Sequence, residues 1–187
     1  MRIIGGKYKG KKLKFINSSI TRPLRDLVKE NIFNIINHSK LLDIDIKNSN
    51  VLDLYSGTGS FGIECISREA KNVTFVENNK TAIDILRENL KIFYSLNNKF
   101  IFFSKINDFL KKINKNENFN IIFFDPPYAS SEYKEDLKYI GENKIYAKKH
   151  IIILHRESKN EDDVSKIIRI LFTKKYGRSK IFFGRFS

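Results

Sequence analysis

The chain has 187 residues, with 35 Lys and Arg against 21 Asp and Glu and a formal net charge of +14. This length accommodates one α/β domain with a full hydrophobic core and excludes two ordinary enzymatic domains. The single cysteine, Cys65, excludes an intrachain disulfide and a Cys-rich metal site, and the apolar runs are too short to span a membrane.

The excess of positive charge favours a polyanionic partner, with nucleic acid as the leading class. Lysine is abundant along the whole sequence, however, so any one lysine can equally be ordinary solvated surface. The first residues lack the long apolar stretch of a signal peptide. We therefore expect a cytoplasmic, monomeric protein that binds no metal and no membrane.

The N-terminal segment combines β-prone pieces with glycines and many cations. Two short pieces lie within residues 2–15, around Gly5, Gly6 and Gly10, and predict a basic β-ribbon. Its predicted nucleic-acid contacts are Arg2, Lys7, Lys9, Lys11 and Lys12, with Lys14 in the same cluster. Apolar residues at helical spacing then predict an amphipathic helix that ends near Asn37. Residues 1–40 are thus expected to form an extension of a single domain over residues 1–187.

From Val51 onward, short apolar runs alternate with amphipathic helices, which is typical of βαβ units and a parallel sheet. Strands are predicted at residues 50–55, 72–77, 99–103, 119–125 and 150–154. Helices are predicted between them at residues 61–68, 81–94, 107–112 and 132–140. Residues 167–172 and 180–186 flank a turn and predict an antiparallel hairpin at one edge of the sheet.

A glycine-containing loop follows the first predicted strand. The sequence Ser56-Gly57-Thr58-Gly59 stands between that strand and a helix, at the edge of the sheet where open α/β sheets bind ligands. Glu77 ends the next strand, where its carboxylate can accept hydrogen bonds from both hydroxyls of a ribose. Asp53 can hold the ammonium of a methionine group but would oppose a nearby pyrophosphate. These features favour S-adenosylmethionine over a dinucleotide, although the glycines alone also fit a simple tight turn.

The most specific motif is Asp125-Pro126-Pro127-Tyr128, directly after an apolar strand. The nitrogen of an exocyclic base amine is a poor nucleophile, because its lone pair is delocalised into the ring. The Asp125 carboxylate and the Pro126 carbonyl can each accept one N–H and turn that lone pair towards a methyl group. Pro127 stiffens the corner, and Tyr128 offers a face on which an extruded base can stack. An ordinary turn with Tyr128 in the core is the alternative interpretation.

Together these segments resemble the RsmD-type methyltransferases, which modify guanine N2 in small-subunit ribosomal RNA. The resemblance covers nearly the whole chain. It rests on residues 2–13, the segment Thr21-Arg22-Pro23, the glycine loop, Glu77, the Asp-Pro-Pro-Tyr motif and Tyr176-Gly177. The opening and the Arg-Pro segment separate this family from other enzymes with similar glycine and proline motifs.

The resemblance implies a class I methyltransferase fold: a Rossmann-like α/β architecture with seven mostly parallel strands, helices on both faces and one reversed strand near the carboxyl end. It also implies S-adenosylmethionine as cofactor and ribosomal RNA or a small-subunit particle as partner. We expect Arg22 and Asn78 to contact the cofactor as well. Lys105 stands where an acidic or amide residue often meets the adenine, so Asn107 or Asp108 is expected to serve instead.

Three other functions remain open from the sequence. An N6-adenine methyltransferase acting on DNA or RNA can use the same tetrapeptide to orient its substrate amine. A nicotinamide-dependent oxidoreductase fits the glycine pattern but leaves the motif at Asp125 unexplained. A non-catalytic RNA-binding protein needs only the basic ribbon.

Overall fold

The computed structural model describes residues 1–16, 24–114, 117–160 and 162–187 of the chain. Its centre is a seven-stranded sheet with the strand order β3-β2-β1-β4-β5-β7-β6. The strands are β1 Asn50–Leu54, β2 Asn72–Glu77, β3 Lys99–Phe103, β4 Ile121–Phe124, β5 Ile151–Glu157, β6 Arg169–Tyr176 and β7 Ser179–Arg185. All neighbouring pairs from β3 to β5 are parallel, whereas β7 is antiparallel to both β5 and β6.

Helices cover both faces of this sheet. They are α1 Asp26–His38, α2 Ser60–Ser67, α3 Lys80–Leu90, α4 Ile106–Lys112 and α5 Tyr133–Glu142. Helices α1, α2 and α3 bury their apolar sides in one hydrophobic cluster, and α4 and α5 bury theirs in a second. Successive side chains of a strand point to opposite faces, so Val51 belongs to the first cluster and Leu52 to the second. The central strands β1 and β4 are therefore buried on both sides, as expected for a covered parallel sheet.

The predicted architecture is confirmed. A sheet of seven strands with helices on both faces and a single reversed strand, β7, is the class I methyltransferase arrangement. The strand order reverses between β1 and β4, so the loops that follow these two neighbouring strands leave the same rim of the sheet. Ligands bind at such a switch point in open α/β sheets.

The N-terminal ribbon is smaller than predicted. Arg2 and Lys12 form an antiparallel bridge, and backbone hydrogen bonds join Ile3 to Lys11 and Leu13 to Met1. The turn between them lies against α2, where the Lys7 N–H donates to the Ser67 carbonyl at 2.8 Å. The ribbon is therefore docked on the helical layer and is not a free arm.

Buried charges fasten the ribbon to α1 and α2. The fully buried Glu64 accepts a hydrogen bond from the Ile4 N–H at 2.8 Å and another from Nε of Arg68 at 3.0 Å. Lys29 is also fully buried, and its ammonium lies 3.8 Å from Glu64 and donates to the Arg2 carbonyl at 2.7 Å. Burial lowers the pKa of Lys29, and the nearby carboxylates of Glu64 and Asp26 oppose that shift.

One strand differs from its prediction in a way that affects the site. Residues 150–154 were predicted for the fifth strand, because the apolar run ends at Leu154. The observed strand continues through His155, Arg156 and Glu157, since β7 pairs with these polar residues. β4 ends at Phe124, level with Leu154, so this three-residue extension of β5 stands beside the chain that leaves β4.

Across the four described stretches, no helix is both long and apolar enough to cross a membrane.

Candidate active site

A cavity of about 630 Å³ opens at the rim where β1, β2 and β4 end. Its walls combine both motifs of the sequence. The lining includes Asp53, Ser56, Gly57, Thr58, Glu77, Asn78, Asp125, Pro126, Pro127, Tyr128, Glu157 and Arg178. The glycine loop and the acidic-diproline corner therefore meet on one cavity, as the sequence predicts.

The glycines of the loop have different physical roles. Gly57 and Gly59 have φ values of +54° and +88°, a region that side chains rarely adopt. A Cβ at Gly57 would have no described protein atom within 4 Å, so this backbone faces open space. At Gly62, by contrast, a Cβ would lie 2.3 Å from the Phe75 ring and 2.9 Å from Oδ2 of Asp53. Gly57 thus leaves room for a ligand, whereas Gly62 allows α2 to pack closely on the sheet.

The Gly62→Ala variant is expected to be destabilised. Its methyl group overlaps the buried Phe75 ring and forces α2 away from β2. Overpacking of this kind costs ~1–3 kcal/mol. The free energy of unfolding in urea measures the loss, and Thr81→Ala is the control, because Thr81 is exposed on α3 and an alanine is well tolerated on an exposed helical position. An equal loss in both variants would contradict the packing role of Gly62.

Five carboxylates among the described residues line this cavity: Asp53, Glu77 and Asp125, together with Glu132 and Glu157. Oδ2 of Asp53 accepts the Gly62 N–H at 2.9 Å, and Glu77 accepts the N–H groups of Gly57, Asn78 and Asn79, each at 2.8 Å. Burial raises the pKa of Asp53 well above its ordinary value, and the charges of Asp125 and Glu77 raise it further. A cationic ligand relieves this repulsion, and a pyrophosphate increases it.

These carboxylates are not arranged as a metal site. In the described part of the chain, no group of three or more His, Cys, Asp or Glu side chains is placed to hold a metal ion.

Ser56 supplies an unsatisfied polar atom at the cavity. Its side chain is 8% exposed, and its Oγ makes no hydrogen bond within the described residues. A buried hydroxyl without a partner is unfavourable, and a polar ligand in the cavity would satisfy it. Ser56, the open backbone at Gly57 and the carboxylates together fit a ligand that carries hydroxyl and cationic groups.

β4 ends at Phe124, directly before the acidic-diproline corner. Pro126 and Pro127 have no backbone N–H to donate to a neighbouring strand, so the strand cannot continue through them. Oδ1 of Asp125 lies 2.8 Å from Nδ1 of His155, and Nε2 of that ring lies 2.9 Å from Oγ of Ser179. The His155 ring also meets the Tyr128 ring edge-on, with 5.9 Å between centroids. The Asp125 carboxylate is thus held by a side chain from the extended part of β5.

Arg156 holds the backbone of the same corner. This side chain is only 2% exposed, and its guanidinium donates to the carbonyls of Pro127 at 3.0 Å, Tyr128 at 2.8 Å and Ser130 at 3.2 Å. Its Nε pairs with Asp162 at 3.0 Å, and the guanidinium lies over the Tyr133 ring at 4.5 Å. One buried cation therefore fixes the direction of several carbonyls that follow Asp125.

Tyr55 contributes local strain at the same rim. Its φ is +59°, a left-handed value that is uncommon for a bulky residue, and strain of this kind concentrates at functional sites. The Tyr55 hydroxyl donates to Asp136 of α5 at 2.6 Å, and burial together with this carboxylate raises the pKa of Tyr55.

Two predicted cofactor contacts, Gly59 and Asn107, are not among the residues that line this cavity, and a Cβ at Gly59 would meet the side chains of Leu86 and Ile63. Asn107 lies exposed in the first turn of α4, and its contact stays a prediction. Arg22 lies outside the described residues.

The predicted nucleic-acid contacts fall into two groups. Arg2 pairs with Asp26 and Lys7 pairs with Glu69. Lys9, Lys11 and Lys12 form no ion pair among the described residues.

Sequence reasoning missed His155, Arg156 and Ser179. The signal for His155 and Arg156 is that two polar residues directly follow the apolar run ending at Leu154. Polar side chains that become buried need hydrogen-bond partners, and they often support a functional group beside them. Ser179, from another strand, gives no comparable signal in the sequence.

Known proteins match this chain over most of its length. The family model described as conserved hypothetical protein 95 matches residues 1–185. Ribosomal RNA small subunit methyltransferase D of Buchnera aphidicola subsp. Baizongia pistaciae is 34% identical over 158 residues, which are 84% of this chain and 76% of the relative. The chain belongs to the RsmD-type methyltransferase family.

Two further comparisons agree with membership of the RsmD-type family. The protein of the same name from Haemophilus influenzae is 35% identical over 144 residues, which are 76% of this chain and 72% of that relative. A solved structure from Escherichia coli, provisionally named methyltransferase yhhF, superposes with a TM-score of 0.82 at 27% identity. The superposition covers 99% of this chain and 97% of that one.

Proposed function

We propose that the protein transfers a methyl group from S-adenosylmethionine to the exocyclic N2 of a guanine in small-subunit ribosomal RNA. The observation that carries this proposal is the single cavity on which the glycine loop and the Asp125 corner meet. A methyl donor and a base amine must share one site, and both motifs line this cavity. Membership of the RsmD-type family and the names of the relatives support ribosomal RNA as the substrate.

The charge of the cavity favours the methyl donor over a dinucleotide. S-adenosylmethionine carries a sulfonium and an ammonium, and both are attracted by the carboxylates at the glycine loop, Asp53 and Glu77. A nicotinamide dinucleotide would bring a pyrophosphate into the same negative field. The dehydrogenase alternative is therefore disfavoured, and a protein that only binds RNA would not need this cavity.

Each part of the loop has a role towards the cofactor. Gly57 lets the cofactor approach the backbone closely, and the Ser56 hydroxyl, which has no partner among the described residues, can bind a polar group of the cofactor. Glu77 accepts hydrogen bonds from the ribose hydroxyls in addition to those from backbone N–H groups. Asp53 faces the ammonium of the methionine portion, with Thr58, Gly59 and Asn78 completing the proposed contacts. When bound, S-adenosylmethionine supplies an electrophilic methyl group on a positively charged sulfur.

The Asp125 corner prepares the nucleophile. The Asp125 carboxylate and the Pro126 carbonyl each accept one N–H of the base amine, which directs the nitrogen lone pair at the methyl carbon. As the N–C bond forms, the S–C bond breaks and its electron pair stays on sulfur. The nitrogen then loses one proton to water or to Asp125. Tyr128 stacks on the extruded base and holds its plane.

The basic ribbon leads directly to this cavity. Phe15 and Ile16, just beyond it, line the cavity. Asn89 joins the ribbon to the glycine loop, because its amide donates to the carbonyls of Lys14 at 2.9 Å and Thr58 at 3.0 Å. RNA bound along the ribbon would therefore approach the Asp125 corner.

Neutralising Lys9, Lys11 and Lys12 together is expected to weaken RNA binding and reduce its salt dependence. These side chains form no ion pair in the described chain, so they are available to phosphates. Losing three phosphate contacts lowers the slope of log K against log salt by ~2–3. The matched control is Lys7→Ala with Lys14→Ala, since Glu69 and Glu88 already pair with these cations at 2.7 and 2.6 Å. An unchanged slope in the triple variant would remove the ribbon from the RNA interface.

Analysis of the methylated product tests the function directly. Purified protein, labelled S-adenosylmethionine and small-subunit RNA or particles are expected to yield N2-methylguanosine after digestion to nucleosides. N6-methyladenosine as the product would establish the adenine alternative, and no label in RNA would refute both.

A further inference from the structure

His155 has one defined position between two partners. Its Nδ1 lies 2.8 Å from Oδ1 of Asp125 and its Nε2 lies 2.9 Å from Oγ of Ser179. The residue is 5% exposed, so solvent competes little for either ring nitrogen. These three side chains come from the end of β4, from β5 and from the start of β7, and they form a continuous chain of hydrogen bonds.

The chemistry of the partners determines the tautomer of the ring. A carboxylate oxygen only accepts, so Nδ1 must carry a hydrogen and donate to Asp125. Nε2 of the neutral ring then accepts from the Ser179 hydroxyl, whose hydrogen can rotate towards it. The Ser179 hydroxyl can donate or accept, so it is compatible with the tautomer that Asp125 requires.

We propose that His155 is a positioning residue for methyl transfer, with Ser179 holding the second nitrogen of its ring. This inference rests on the proposed function of Asp125. Binding of Oδ1 by His155 prevents the carboxylate from rotating and leaves Oδ2 to accept the N–H of the substrate amine. Because the lone pair of that amine must point at the methyl carbon, a rotating carboxylate would lower the rate of the chemical step more than binding.

Two conservative variants separate this role from simple filling of space. Asparagine places its amide nitrogen near the position of Nδ1, so His155→Asn keeps a donor for Asp125 and loses the contact with Ser179. Glutamine reaches the position of Nε2, so His155→Gln keeps the contact with Ser179 and loses that with Asp125. A purely structural role would not distinguish them in this order.

We expect the kcat of His155→Asn to stay within ~5-fold of wild type and that of His155→Gln to fall ~30–100-fold. The KM for RNA and the Kd for S-adenosylmethionine should change little in both, because His155 is not among the residues that line the cavity. Ser179→Ala should lower kcat less than His155→Gln. Equal kcat values for the two His155 variants, or the reverse order, would overturn the proposal.

A second measurement does not depend on the variants or on activity. Nitrogen-15 chemical shifts of the His155 ring in the wild-type chain report which nitrogen carries the hydrogen. We expect it on Nδ1, and a neutral ring with the hydrogen on Nε2 would overturn the proposal. Absence of methyl transfer by the wild-type protein would instead refute the proposed function.

Discussion

Replacing Asp125 with alanine is expected to lower kcat for RNA methylation by ~10²–10³-fold or more, because a directed acceptor at the reacting nitrogen is lost. The same variant should bind S-adenosylmethionine within ~3-fold of wild type. The residues proposed to contact the cofactor, among them Ser56, Gly57 and Glu77, are other residues of the cavity wall. Single-turnover methyl transfer and isothermal titration of the cofactor measure the two quantities separately.

The control for this prediction is Asp84→Ala. Asp84 is an exposed carboxylate of α3 that pairs with Arg87 at 3.4 Å and does not line the cavity. It tests whether loss of one negative charge from this basic protein changes activity through RNA attraction alone. Full activity in Asp125→Ala would remove the proposed mechanism, and weak cofactor binding in that variant would assign Asp125 to the cofactor instead.

The Arg156→Met variant is expected to lose both stability and activity. Methionine fills much of the space of the arginine stem, but it leaves Asp162 without its cation and removes the guanidinium hydrogen bonds to the carbonyls of Pro127, Tyr128 and Ser130. Breaking a buried ion pair costs ~3–5 kcal/mol. At ~2–4 °C per kcal/mol for a chain of this size, Tm should fall by ~6–20 °C.

The same substitution at Arg178 provides a matched control. Arg178 pairs with Glu157 at 2.7 Å, but its side chain is 59% exposed, and surface pairs contribute only ~0–1 kcal/mol. Calorimetry should therefore give a much smaller decrease in Tm for Arg178→Met. A decrease of similar size in the two variants would show that burial of the Arg156 network adds nothing. At a temperature where Arg156→Met remains folded, kcat should still be reduced, since the corner after Asp125 loses its support.

The sequence already determined the architecture and the two motifs of the site. Alternation of apolar runs and amphipathic helices requires a covered parallel sheet, because neither element can bury its apolar surface alone. The loop at Gly57 and the corner at Asp125 each follow such a run, so both were predicted at the same rim. Residue type and spacing were sufficient here, since these features depend on local periodicity and on the limits that glycine and proline place on the backbone.

Only the tertiary structure decided what supports the motifs. His155 and Arg156 follow the apolar run of β5 and looked like the start of a loop, yet pairing with β7 keeps them in the strand beside Asp125. Ser179 reaches His155 from another strand, and Asp162 reaches Arg156 from the segment that follows β5. Likewise, only the tertiary structure shows which lysines of the ribbon are paired, because Glu69 and Glu88 lie next to Lys7 and Lys14. Long-range pairing of polar groups leaves no periodic signal in a sequence, because each partner is chosen by the packing of strands that are far apart along the chain.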